Sequence, residues 1–284
     1  MLKKLFGLAP KRESDGSYSP SKLALKLATS DKTDYESVTY RQYEGNRSKV
    51  LVIFTEQKNM EMQNGKQFST GNHPVEALLP MLHLKNAGFD FDIVTPTGKP
   101  VIFEMWAFPN KDDKVIAFFN EYKSRFEQPG SLGDFVNTSL SESDAYAAVF
   151  IPGGHGAMLG IPEDINVGKA LHWANDNGLF TITLCHGPGA LLATSLEGNE
   201  FLYAGYKMAV FPDSVDDVTP KVGYLPGKMP WGLSKKLESL GVTLMNTKSD
   251  KTVCLDRQLI TGASPMAADA LGKLAANTLL DSLK

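Results

Sequence analysis

Phe180 to Ser195, FTITLCHGPGALLATS, opens as a short apolar and β-branched run, turns at Cys185, and continues into a helix start marked by Gly187, Pro188 and Gly189. A continuous run of this kind suits a parallel strand covered on both faces. A nucleophile at a strand-to-helix turn is pushed out of the sheet, beside the free N–H groups that begin the helix. Those groups and the helix dipole favour a thiolate over a thiol. Pro188 fits a first turn, where no N–H is needed, and His186 builds an acid/base group into the same turn. A lone cysteine is more often a small buried hydrophobe. A core cysteine, however, has no use for an adjacent His and a Gly-Pro-Gly helix start, so Cys185 reads as a nucleophile.

Working outward, the same grammar recurs. Lys49 to Thr55 (KVLVIFT) is a second apolar run. It is followed by a helix near 73–87, for which Asn72 offers a cap and Pro74 a first-turn residue, and by an alternating strand, Phe89 to Thr95. This β-α-β unit implies a right-handed crossover and a mostly parallel α/β sheet. Residues from about 96 to 140 interrupt the pattern with FEMWAFPN and an amphipathic helix over Lys111 to Phe126, and read as an accessory lobe inserted over the carboxyl ends of the strands. The core resumes at Tyr146 to Ile151 and ends in Pro152-Gly153-Gly154-His155-Gly156, whose exposed amides suit an oxyanion hole. Further expected elements are a helix near 166–177, strands at 206–210 and 243–246, a helix at 233–240, a hairpin of 253–255 with 259–261, and a final helix capped by Ser264.

Before the core, residues 1–47 form a polar N-terminal extension. Its interspersed Leu23, Leu25, Leu27, Tyr35, Val38, Tyr40 and Tyr43 argue for docking onto the 48–284 core rather than for a free tail. The apolar run Leu5 to Ala9 is too short for a secretory signal, and no run of about 18 apolar residues spans a membrane. A net charge of −3 gives no basic footprint for nucleic acid or an anionic surface. Two cysteines, Cys185 and Cys254, are too few for a disulfide scaffold, so both read as free thiols in a cytoplasmic protein, Cys254 as a structural one.

Among the remaining chemistry-bearing groups, His155 in the glycine loop reads either as a substrate contact or as an outward surface residue, and His73 near a helix start as a cap or a pocket contact. His83 and His172 lie within helices and read as structural. Glu76, one turn into the first helix, reads either as an acid facing Cys185, with a raised pKa, or as a first-turn acid complementing the helix dipole. A working histidine needs an orienting carboxylate, and the cluster Asp213, Asp216 and Asp217 is its natural source.

The motifs STGNHPVE, NAGFDFDIVTPTG, FEMWAFP, VFIPGGHGAMLGIPE, LCHGPGALLA, FPDSVDDVTP, GYLPG and TGASPMAADALGKLAA, in this order, resemble the HchA-type bacterial heat-shock proteins of the ThiJ/PfpI superfamily. The resemblance covers nearly the whole chain after about residue 45. It implies a flavodoxin-like sandwich assembled as a homodimer. It also implies a Cys185, His186, Asp216 triad, with Asp213 as the alternative register, and Glu76 facing the cysteine. The implied activity is cofactor-free: glyoxalase III conversion of methylglyoxal or glyoxal to lactate or glycolate, and deglycation of aldehyde-modified protein and nucleotide groups. Cys185 attacks, and amides around Gly153, Gly154 and His155 hold the oxyanion. The family's metal site of two His and one acid falls on Lys85, Asp90 and Tyr122 here, a set that predicts no metal. A second implied activity is a holding chaperone for unfolded client proteins, for which Phe103, Met105, Trp106 and Phe108 would supply apolar surface. A cysteine peptidase is a third reading, resting on the triad alone.

Overall fold

The computed structural model describes residue 7 and residues 9–283. Leu5, Phe6 and Leu8 of the short apolar run lie outside the described residues. The main sheet has seven strands: β1 (Lys49–Ile53), β2 (Asp90–Thr95), β3 (Gly130–Ser131), β4 (Tyr146–Ile151), β5 (Phe180–Leu184), β6 (Val253–Asp256) and β7 (Leu259–Gly262). Their spatial order is β6-β7-β5-β4-β1-β2-β3, and every neighbouring pair is parallel except the β6–β7 hairpin. Without the edge strands β3 and β6, this is the flavodoxin-like order, whose switch point lies between β1 and β4. Ligands bind at the carboxyl ends of such strands, and β1, β4 and β5 end side by side there.

Helices cover both faces, which is why β1, β4 and β5 are buried at nearly every position. On one face α2 (Pro74–Asn86), α3 (Asp113–Glu127) and α5 (Ala268–Ser282) pack a core containing Val52, Leu78, Phe91, Phe118 and Leu279. On the other, α4 (Ile165–Asp176) and the segment 187–198 pack on Val149, Leu171, Trp173 and Leu191. Ser264 caps the turn before α5, its hydroxyl accepting from the Met266 N–H at 3.2 Å. Asn72 does not cap α2. Its side-chain oxygen accepts from the Thr55 N–H, and its amide donates to the carbonyls of Thr55 and Ile102. His73 occupies the cap position with no side-chain bond, and Pro74 starts the helix.

Residues 96–140 divide between the core and its rim. Gly130–Ser131 joins the main sheet, and Leu132 and Phe135 enter the core cluster on the α4 face. The aromatic residues of FEMWAFP are packed. Phe103 meets Phe54, Phe119 and Phe126, Phe108 meets Phe119, and Trp106 meets Phe68 and Tyr224. Met105 alone of the four residues offered as client surface is exposed, so this cluster stabilises the rim and gives no open chaperone surface.

The helix expected after Cys185 is a 3-10 helix over Gly187–Gly198, broken at Leu196 and Glu197. Close approach to α4 accompanies this: a Cβ on Gly168 would lie 2.4 Å from the Ala193 carbonyl oxygen. Strands at 206–210 and 243–246 shrink to the parallel pair Lys207–Met208 and Thr243–Leu244 outside the main sheet. Beyond it the Asn246 amide takes over the ladder, accepting from the Val210 N–H and donating to the Val210 carbonyl.

In the extension, Tyr18 pairs with Phe68 in a four-stranded sheet made with Lys11–Arg12, Asn59–Glu61 and Gln67–Ser69. Helix α1 (Lys22–Ala28) follows, with Leu23 and Leu27 exposed rather than docked. Tyr40 anchors the segment, its hydroxyl 2.8 Å from Nδ1 of His83, whose Nε2 is 2.9 Å from Asp269. Among the described residues no helix is long and apolar enough to cross a membrane.

Candidate active site

Cys185 sits at the end of β5 with φ 58°, a conformation that non-glycine residues rarely adopt. The strain is held by two backbone bonds: its N–H donates to the Gly262 carbonyl at 2.8 Å, and its own carbonyl accepts from Phe211 at 2.9 Å. This turn brings Sγ within 3.3 Å of Nδ1 of His186. The far nitrogen of His186 lies 2.8 Å from Oδ2 of Asp216, and the ring stacks on Phe211.

Asp216 has a second imidazole partner: its Oδ1 is 3.1 Å from Nε2 of His155. Burial pushes this carboxyl upward, yet the His186 and His155 rings outweigh that and hold it well below the usual range. His155 therefore faces the site through Asp216 and is not a surface residue. Asp213 plays a different part. Its two oxygens accept from the N–H groups of Ser234 and Lys235, capping the helix Leu233–Ser239.

Glu76, in the first turn of α2, lines the site beside Cys185. Gly153, at the end of β4, lies between them: a Cβ there would be 2.1 Å from Glu76 Oε2 and 2.8 Å from Cys185 Cβ. Only glycine lets acid and thiol share this space. Glu76 is fully buried and neither oxygen has a partner in hydrogen-bond geometry. Burial, offset in part by the thiol, raises its carboxyl well above the usual range. Burial and then the Glu76 charge push the Cys185 thiol upward as well. Desolvation thus opposes the thiolate that the helix amides favour. Both groups are thereby biased toward their protonated forms, a thiol facing a carboxylic acid.

Gly154 has φ 100°, and a Cβ there would strike the Gly71 carbonyl oxygen and the His73 nitrogen, both at 2.5 Å. This packing seats the glycine loop on the start of α2, where the His73 N–H donates to the Gly153 carbonyl. The imidazole of His73 is buried with Nδ1 unpartnered, and burial lowers its pKa to about 3.

Together these groups line a cavity of about 240 Å³ whose walls also include Glu104 and Tyr224, and whose mouth is bordered by Leu27, Ala28 and Met266. Sequence reasoning missed Glu104, although FEMWAFP was singled out. The one available signal was an acid inside an otherwise apolar run. It also missed the contribution of α1, whose exposed Leu27 borders the mouth.

His155, His186 and Asp216 offer ligand atoms within 4.8 Å of one another. Both oxygens of Asp216 are committed to the imidazoles and His186 Nδ1 faces sulfur, so the donor set reads as a proton relay and not as a metal cage. Lys85, Asp90 and Tyr122 lie elsewhere. Lys85 pairs with Glu121 over the Phe118 and Tyr122 rings, and Asp90 pairs with Arg125.

The chain is 45% identical over 266 residues to the protein/nucleic acid deglycase HchA of Escherichia coli (strain K12 / DH10B), covering 94% of this chain and 93% of that protein. The HchA of Escherichia coli O1:K1 / APEC is 44% identical over the same coverage. No family model matches the chain. Among solved structures, the Francisella tularensis rapid encystment protein of 24 kDa superposes with a TM-score of 0.69 at 20% identity, covering 82% of this chain and 99% of that one. Glyoxalase III from Candida albicans superposes with a TM-score of 0.63 at 23% identity, covering 81% and 98%. At these identities the two structures speak for the fold.

Proposed function

The chain belongs to the HchA protein/nucleic acid deglycase family, and from that premise we propose that it is a deglycase and glyoxalase III acting through Cys185. The observation that carries this reading is the pairing of two buried proton carriers, Cys185 and Glu76, across Gly153 in a small cavity. Its substrates are methylglyoxal and glyoxal, converted without glutathione to lactate and glycolate, and early aldehyde adducts on protein and nucleotide groups.

The reactive form is the pair with one of its two protons released, a thiolate beside a carboxylic acid. As the thiolate adds to the aldehyde carbon, Glu76 gives its proton to the developing alkoxide. The carboxylate so formed takes the proton from that carbon and returns it to the neighbouring one through an enediol. A thioester of the 2-hydroxy acid remains. One carbon is oxidised as the other is reduced, so no external electron carrier is called for. Amides at Gly153, Gly154 and His155 hold the developing oxyanion. His186, oriented by Asp216, draws a proton from the hydrolytic water and returns one to the departing sulfur. For an amine adduct, attack at the carbinolamine carbon forms C–S and breaks C–N. The amine leaves with a proton, and the same thioester follows.

A cavity of about 240 Å³ is smaller than a drug-sized site. It admits the tip of a modified side chain and not a polypeptide backbone, which disfavours the peptidase reading. We place the protein in the cytoplasm as a homodimer, where Cys185 and Cys254 stay reduced. The test is incubation with methylglyoxal adducts of acetylated lysine, arginine and cysteine, without glutathione. Wild type should release lactate and the free amino acid, and Cys185→Ala should release neither. Equal release by both would overturn the reading.

A further inference from the structure

The geometry points to Glu104 as the hydrogen-bond donor that holds the second substrate oxygen, the one on the carbon next to the site of Cys185 attack, an inference that rests on the dicarbonyl chemistry proposed above. That oxygen is common to methylglyoxal and to its adducts, so one donor serves both substrate classes.

Glu104 is held rigidly. Its N–H donates to the Asn72 carbonyl at 2.9 Å, and its own carbonyl accepts from Ala107, closing a turn. Asn72 in turn ties Thr55 and Ile102 together through its side chain. A Cβ on Gly71 would lie 2.6 Å from the Ile102 carbonyl oxygen, so the two segments are in contact. The backbone that carries this carboxyl is therefore fixed, and the side chain lines the same cavity as Cys185.

Its two oxygens differ. Oε1 accepts from the Thr70 hydroxyl at 2.7 Å, whereas Oε2 is buried with no hydrogen-bond partner. A buried polar atom without a partner is costly, and a substrate atom at Oε2 would remove that cost. The titratable groups lining the cavity with it are His73 and Glu76 at the start of α2, His155 after β4, Cys185 and His186 after β5, Asp216 and Tyr224. The nearest ring, His155, brings Nδ1 only to 4.0 Å from Oε1, and its Nε2 is committed to Asp216. A carboxylate would be poorly compensated here, and a carboxylic acid supplies the proton that a carbonyl oxygen accepts. In line with this, burial raises the Glu104 carboxyl to about 7, against smaller lowering by His155 and Thr70.

The experiment compares wild type, Glu104→Gln and Glu104→Leu in kcat/KM for methylglyoxal from pH 5 to 9, with the iodoacetamide alkylation rate of Cys185 as a control for an intact site. Leu removes the donor and should lower kcat/KM by about tenfold to a hundredfold while alkylation stays at the wild-type rate. Gln keeps an N–H donor that does not ionise. It should lose less than Leu and flatten the fall in activity above about pH 7. Wild-type kcat/KM in the Leu variant overturns the inference, as does an unchanged alkaline limb in the Gln variant should Leu not fold. Infrared spectroscopy gives a readout independent of turnover. A carboxylic acid C=O band at pH 6 should be stronger in wild type than in Glu104→Gln, where the Glu76 acid remains, and identical spectra overturn the inference. Complete inactivity of wild type with that difference present counts against the dicarbonyl reaction instead.

Discussion

Nε2 of His186 and Oδ2 of Asp216 are 2.8 Å apart, and both side chains are buried. Asp213, three residues earlier in the same FPDSVDD stretch, caps a helix instead. Substituting the two acids separates these parts. Asp216→Asn should lower kcat by about a thousandfold or more, since the imidazole loses its orienting charge. Asp213→Ala should leave turnover near wild type and lower stability by about 1 kcal/mol. Steady-state kinetics and thermal melts of both variants check this.

The raised thiol makes a second prediction with a definite sign. The Glu76 charge is one cause of the upward shift at Cys185, after burial. Glu76→Gln removes that charge, so Cys185 should alkylate with a lower pH midpoint than in wild type, even as methylglyoxal turnover falls by at least about a hundredfold for want of a proton carrier. Iodoacetamide rates across pH measure the first effect and lactate formation the second.

Gly153 is predicted to tolerate no side chain. A Cβ would lie 2.1 Å from Glu76 Oε2 and 2.5 Å from the Leu184 carbonyl oxygen, and the latter is sheet backbone that cannot yield. Gly153→Ala should cost about 1–3 kcal/mol in a denaturant titration and abolish turnover.

Acid stability should depend on His73. Burial keeps it neutral down to about 3 in the folded chain, against an ordinary histidine value of 6.5. Between these values the unfolded chain binds a proton that the folded one refuses, so stability falls as pH drops from about 6.5 toward 3. Glu104 works in the opposite sense between about 4.5 and 7, because its raised carboxyl keeps a proton that the unfolded chain has lost. Melting curves of His73→Asn should show a shallower decline between pH 6.5 and 4 than wild type.

Much of this architecture is legible in local sequence. The apolar runs at β1, β4 and β5 announce buried parallel strands, and each ends in residues whose chemistry needs the sheet's carboxyl edge. Cys185 and His186 are neighbours in the chain, so their pairing is read directly. Glu104 was not legible, because its place in the cavity comes from the Asn72 clamp that ties residues 55, 72 and 102 across the fold. Nor was the opposing desolvation of the thiol legible, since helix amides are visible in a sequence and burial by α2 and the β4 loop is not. The short strand at Lys207–Met208 was overextended because an asparagine side chain imitates a ladder and leaves no periodic trace.

The most direct test of the covalent account is rapid-quench mass spectrometry of the reduced protein mixed with methylglyoxal, without glutathione or added metal. A transient adduct of one methylglyoxal on the peptide carrying Cys185, decaying as lactate appears and missing in Cys185→Ala, is the predicted result. Lactate formed by Cys185→Ala at the wild-type rate, or formed by wild type with no adduct at that peptide, would contradict it.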